Sequence, residues 1–277
     1  MEIAPALFAA VCVAALFCQY ADASIGMGYG TTLTPILIII GFAPLEVIPA
    51  VLLGQLVGGI AAGLAHNRLG NISLDFKRDE QLIKQFIKGR MRRLIYLPKS
   101  TDSKVIFILA VCGIVGALVG VFTAINISQI ALQTYIGAVV LAVGVLILIR
   151  RNRIVPFSWR SFVGVGLVAS FNKGISGGGY GPLVTGGQII SGREARNSVG
   201  STTVAEVLVC IVGLLGYLLA NGYFSWEVAA AVSVGSVVAA LPAALTVRRI
   251  SSHRLKLLIG AATLILGTYT LVKTYIM

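Results

Sequence analysis

Ser24-Ile25-Gly26-Met27-Gly28-Tyr29-Gly30 returns 151 residues later as Ile175-Ser176-Gly177-Gly178-Gly179-Tyr180-Gly181. The register continues past the glycines: Thr34 pairs with Thr185, Ile38 and Ile39 with Ile189 and Ile190, and Gly41 with Gly192. Eight of the sixteen positions in 26–41 are identical to their partners in 177–192, and Gln55 falls opposite Glu206. This spacing marks an internal duplication. In each copy the glycine run interrupts a hydrophobic stretch, which is where a chain turns or lets another backbone come close.

Away from these interruptions the chain is strongly apolar. Of its 277 residues, 57% are hydrophobic and 12% charged, with a mean hydropathy of +0.93. A soluble domain of this length needs more polar surface. Ten apolar segments are expected, at 3–21, 25–41, 45–65, 105–124, 129–149, 160–172, 178–191, 196–220, 228–247 and 254–276. Several approach the ~20 residues a helix needs to cross a bilayer. The fold class expected is therefore an all-α membrane protein. Cys12, Cys18, Cys112 and Cys210 all fall in apolar runs with no Cys/His grouping, so neither a disulfide framework nor a metal site is indicated. The first segment follows Glu2 rather than a basic stretch and reads as a retained helix.

The net charge of +12 is concentrated between the apolar runs. Loop 66–104 carries half of it, with ten basic residues that include Lys77, Lys84, Arg92 and Lys99. Smaller clusters sit at Arg150–Arg153, Arg193–Arg196 and Arg248–Lys256. Such clusters orient membrane helices; no basic face alternates with aromatics, so nucleic acid is not an expected partner. Placing 66–104 in the cytoplasm puts both termini outside and, provided the sixth and seventh segments enter from the cytoplasm and return, every basic cluster on one side. Each half, 1–149 and 150–277, then holds five segments. An odd count makes the second half enter from the opposite face, the inverted-topology repeat of many secondary transporters.

Residues 160–172 span about 20 Å as a helix, too short to cross. The sixth and seventh segments therefore suggest a re-entrant hairpin, with the first two as its counterpart. Irregular backbone at that depth survives only when buried in protein or lining a wet cavity. Helices are expected to restart at Thr31 and at Pro182, a residue suited to a first turn. Their free N–H groups would meet near the midplane and favour an anion. The substrate-binding candidates are Gly28, Tyr29, Gly30, Thr31, Lys173, Gly178, Gly179, Tyr180 and Gly181. Lys173 adds a full charge, and its counterpart in the first half is Asp22. Lys173 either contacts substrate, snorkels, or neutralises Asp22. Asp22 is either an ion-coupling group or a residue of the outer interface, and Glu206 either carries a proton or bonds a neighbouring helix. The polar run Asn197, Ser198, Ser201, Thr202, Thr203 either lines a path or packs helices. Trp159 and Trp226 read as interface anchors, while His66 and His253 lie at segment ends.

The runs Gly26–Thr31 with Pro35 and Gly177–Pro182 with the polar helix after it, together with the central basic loop, resemble the TauE/SafE family of sulfite and organosulfonate exporters. The resemblance covers nearly the whole chain, although the 66–104 loop is long for the family. It implies a protein of the bacterial inner (cell) membrane that exports sulfite or a related organosulfonate anion, driven by a proton or sodium gradient, without a cofactor. A homodimer is left open. Two rivals stand beside it. A passive anion channel could use the same helix ends. Gly174-Ile175-Ser176-Gly177 matches the GxSG pattern of rhomboid intramembrane proteases, but that chemistry needs a histidine within reach, and His66 and His253 both lie at segment ends. No catalytic residue is assigned.

Overall fold

The computed structural model describes residues 4–42, 44–77, 97–124, 129–150, 158–176, 180–221 and 225–276. Helices account for almost all of them: α1 (Pro5–Ile25), α2 (Tyr29–Ile40), α3 (Pro44–Arg68), α4 (Thr101–Ala124), α5 (Gln129–Arg150), α6 (Trp159–Ser176), α7 (Tyr180–Ile190), α8 (Ala195–Asn221), α9 (Trp226–Arg249) and α10 (Ser252–Ile276). Between α3 and α4, β1 (Phe76–Lys77) pairs antiparallel with β2 (Leu97–Pro98). Among the described residues, α1, α8, α9, α10 and residues 46–68 of α3 are long and apolar enough to cross a membrane.

The chain departs from the expected boundaries where local chemistry outweighs hydropathy. Helix α6 runs to Ser176, eighteen residues rather than thirteen, or about 27 Å at 1.5 Å per residue. Lys173 ends an apolar run but does not break a helix. The half-length elements are instead α2 and α7, the helices after the breaks. Both start two residues earlier than expected, at Tyr29 and Tyr180. Pro182 is thus the third residue of its helix, still in the first turn, where an N–H has no partner to lose.

Packing is close and outwardly apolar. Helix α1 lies along α9, α5 along α10, α4 along α6, and α3 against both α8 and α9. Small residues allow the backbones to meet: a Cβ at Gly235 of α9 would overlap the Cys12 carbonyl oxygen of α1, and one at Gly144 of α5 would fall 2.7 Å from the Leu264 nitrogen of α10. One buried cluster joins α1, α2, α3 and α9 through Val11, Leu33, Val51 and Val232. A second joins α4, α6, α7 and α8 through Leu109, Phe162, Leu183 and Val209. A third gathers Met27, Ile147, Ile189, Val199 and Ile259 around the junction of the halves. Large apolar side chains cover the outside, among them Phe17, Ile39, Leu64, Ile265 and Tyr275. That surface suits lipid and would aggregate in water.

The base of the long loop is ordered. Ser73 N–H donates to Asp102 Oδ2 (2.8 Å), Leu74 N–H to Asn67 Oδ1 (2.9 Å) and Asp75 N–H to Ser103 Oγ (2.9 Å). Residues 78–96, with basic side chains such as Lys84 and Arg92, lie outside the described residues.

Candidate functional site

The first break is a short left-handed turn. Gly26 ends α1 with φ 81°, its N–H bonded to the Asp22 carbonyl at 2.6 Å. Gly28 follows with φ 117°. Neither angle suits a residue with a side chain, so glycine is required at both. Tyr29 then opens α2. Its N–H donates to the Asp22 carboxylate (3.4 Å), and its hydroxyl meets Ser236 Oγ of α9 at 2.8 Å. Asp22 is 4% exposed, so it is buried in the protein rather than a surface residue. One N–H at the start of α2, that of Tyr29, is thus bonded to a carboxylate.

The start of α7, just past the second glycine run, presses against the first break. A Cβ on Gly181 would overlap the Gly26 carbonyl oxygen and lie 3.0 Å from Met27 Cα. Thr185, one turn further along α7, donates to that same carbonyl (3.2 Å) and meets Thr202 Oγ1 of α8 at 3.0 Å. Thr263 Oγ1 of α10 reaches the Met27 sulfur at 3.6 Å. Tyr29 and Tyr180 are both fully buried, and Cys210 lies within electrostatic reach of each. Glu206, 6% exposed, neighbours Tyr180. The Cys210 thiol donates to Gln55 Oε1 at 3.4 Å, so the residue paired with Glu206 in the repeat is drawn to the same junction.

Not every candidate converges. A Cβ on Gly30 would meet nothing within 4 Å, and Thr31 is exposed with its hydroxyl bonded back to the Gly28 carbonyl at 3.3 Å. Gly178 and Gly179 lie outside the described residues, as does the side chain of Lys173, whose backbone sits in the last turn of α6. Within the polar run of α8, Ser198 and Thr203 bond carbonyls of their own helix or its N-terminal approach, as packing residues do. Ser201, which also bonds the Asn197 carbonyl of its own helix at 2.6 Å, and Thr202 hold Gln188 of α7, at 2.8 and 2.9 Å.

Several polar residues near the junction give no signal in sequence. Gln19, one turn before Asp22, is fully buried, and neither atom of its amide has a partner among the described residues. A Cβ at Gly58 of α3 would lie 3.1 Å from its amide carbon, so Gln19 is held tightly against α3. His66 sits at a helix end, as expected, but is wholly buried. Its Nε2 donates to the Ala23 carbonyl (2.9 Å) and its Nδ1 accepts from Asn71 Nδ2 (3.0 Å), which together select one neutral tautomer. At the α7–α8 turn, Arg193 forms a buried ion pair with Asp102 of α4, joined by Asn197. Burial pushes the Arg193 guanidinium below its usual range, and Asp102 acts against that push. Among the described residues, no three His, Cys, Asp or Glu gather as a metal site would need.

Apolar helices with a lipid-suited exterior, and a half-length helix packed by its start against the first break, describe a multi-pass membrane protein. The profile of the family described as "Sulfite exporter TauE/SafE" matches residues 92–270. The chain is also 24% identical over 275 residues to the "Probable membrane transporter protein YtnM" of Bacillus subtilis (strain 168), covering 94% of this chain and 81% of that protein. The chain belongs to the TauE/SafE family and is a membrane transporter.

Proposed function

We propose that the protein is a secondary transporter that exports sulfite or a related organosulfonate anion by alternating access around the two helix breaks. The observation that carries this is the contact of Gly181, at the start of α7, with the Gly26 carbonyl and Met27 of the first break. Two interruptions of hydrophobic helix that share one buried junction supply polar backbone where lipid-facing helix cannot. With Asp22 occupying the start of α2, the start of α7 is the end left to attract a negative charge, and Lys173, near the close of α6, adds to it. Gly28, Tyr29, Gly178, Gly179, Tyr180 and Gly181 are the residues proposed to frame the cargo, with Gly30 and Thr31 at its margin. Asp22 and Glu206, both buried, are the candidates to carry a coupling proton or to hold sodium.

An inverted repeat, 1–149 and 150–277, draws support from the packing. Exchanging α1–α5 with α6–α10 turns the α1/α9 pair into the α6/α4 pair and returns α5/α10 and α3/α8 to themselves. The bundles would rock about that pseudo-symmetric centre in the inner membrane, with the 66–104 loop cytoplasmic and both termini outside.

The test is a panel of sulfite, sulfate, sulfoacetate and thiosulfate. Binding is read as thermal stabilisation of the purified protein and transport as uptake into proteoliposomes under proton or sodium gradients. Sulfite or an organosulfonate should stabilise the protein and accumulate against its own gradient. Accumulation that never passes equilibrium would make the protein a passive channel, and no stabilisation by any anion would remove the anion site.

A further inference from the structure

The turn joining α7 to α8 holds buried cationic and hydroxyl donors that the helix breaks do not use. Arg193 has a side chain only 5% exposed and spends Nη2 on Asp102. Its Nη1 has no partner among the described residues, and neither has Ser191 Oγ, two residues earlier on the same turn. Both residues are buried. Leaving a guanidinium N–H and a hydroxyl dry is costly unless something else satisfies them. Asp102 is differently placed. It lies in the first turn of α4, accepts from Ser73 N–H at 2.8 Å, and takes Asn197 Nδ2 at 3.3 and 3.4 Å. Its charge is thus held by a helix start and two other donors even without Arg193. Glu194, the other carboxylate of the turn, is exposed. Helix α8 begins at Ala195, so its first amides add a positive field, and Arg196 lies close by, bonded to the Arg248 carbonyl at 3.2 Å.

We propose that the α7–α8 turn is a binding site for a small oxyanion, separate from the helix breaks, in which Arg193 Nη1 and Ser191 Oγ donate to two oxygens of the ligand. Sulfite and sulfate offer several acceptor oxygens around one centre, which a guanidinium edge and a neighbouring hydroxyl can share. The site rests on the reading of the cargo as an anion and would load it on the basic side of the bundle before it reaches the junction. Asp102 and the incoming anion compete for one guanidinium. Occupancy therefore loosens the only ion pair among the described residues, one that ties α4 of the first half to the α7–α8 turn of the second.

Titration of the full-length purified protein with sulfite and with inorganic sulfate, read by thermal stabilisation and by half-saturation of uptake, tests this. Asp102→Asn removes the competing charge and should lower the half-saturating concentration about fivefold. Arg193→Gln should raise it about tenfold, Arg193→Lys less, and Ser191→Ala about threefold. Asp102→Asn that leaves binding unchanged or weaker in folded protein overturns the site, as does Ser191→Ala with unaltered half-saturation. The Lys and Ala variants keep the test decisive if Arg193→Gln fails to fold. If wild-type protein accumulates sulfite and the turn variants match it, this site alone is lost. If the wild type neither binds nor moves any oxyanion, the transport reading falls with it.

Discussion

The two breaks descend from one pattern and differ where charge and space matter. Both open a half-length helix on a buried tyrosine at matched positions, Tyr29 and Tyr180. At the position one turn before the end of the leading helix, however, the first half has Asp22 and the second Lys173. Asp22 caps the start of α2 with its carboxylate. Gly30 and Gly181 also occupy matched positions, yet Gly30 faces open space while Gly181 is pressed onto the first break. The two stretches share the half-length helix opening on a tyrosine and differ in the chemistry around it. On the proposed reading, the acid of the first break disfavours an anion there and the lysine of the second favours one.

The glycine pair sharpens this comparison most. Gly181→Ala places a methyl against the Gly26 carbonyl, and overpacking of this kind costs about 1–3 kcal/mol. Set against the transport-competent arrangement, that is roughly a 5- to 150-fold loss of sulfite uptake in proteoliposomes. Gly30→Ala, with nothing to strike, should stay within about twofold of wild type. Equal losses at the two positions would mean that the breaks do not differ in packing.

A smaller effect tests the charges. Lys173→Ala should raise the half-saturating sulfite concentration about tenfold, whereas Lys99→Ala, at the exposed end of the long loop, should leave it unchanged. Asp22→Asn removes the acid from the opposing helix start and should tighten binding by a lesser factor. Weakening by both Lys173→Ala and Asp22→Asn to the same degree would show that the sign at this position is immaterial.

What the sequence made legible follows from the range of the forces involved. Glycine runs that stop a hydrophobic stretch act on their own backbone, so both breaks could be found from composition alone. The start of α2 at Tyr29 could not, because it depends on a carboxylate seven residues upstream folding back over the turn. Asp102 and Arg193 are 91 positions apart, each unremarkable in a polar stretch, and only the packing of α4 against α8 joins them. His66 showed its place at a helix end but not its burial, since the carbonyl it bonds belongs to α1. Lys173 shortened the apolar run of α6 without shortening the helix, because hydropathy reports on solvent and not on backbone hydrogen bonding.

The smallest expected effect concerns a residue that the second break lacks. Gln19 lies three residues before Asp22, and its counterpart in the repeat is Ser170. Its amide is fully buried with both polar atoms unpartnered among the described residues, a cost of about 1–3 kcal/mol if it stays dry. Leu has nearly the same volume and no polar atom. Gln19→Leu should therefore stabilise the protein without cargo by about 1–2 kcal/mol, read as a rise in thermal midpoint. A fall of similar size would mean that the amide holds an ordered water or a cargo oxygen. The acidic break would then contact the transported ion after all, and the division of labour between the two breaks would be narrower than their charges suggest.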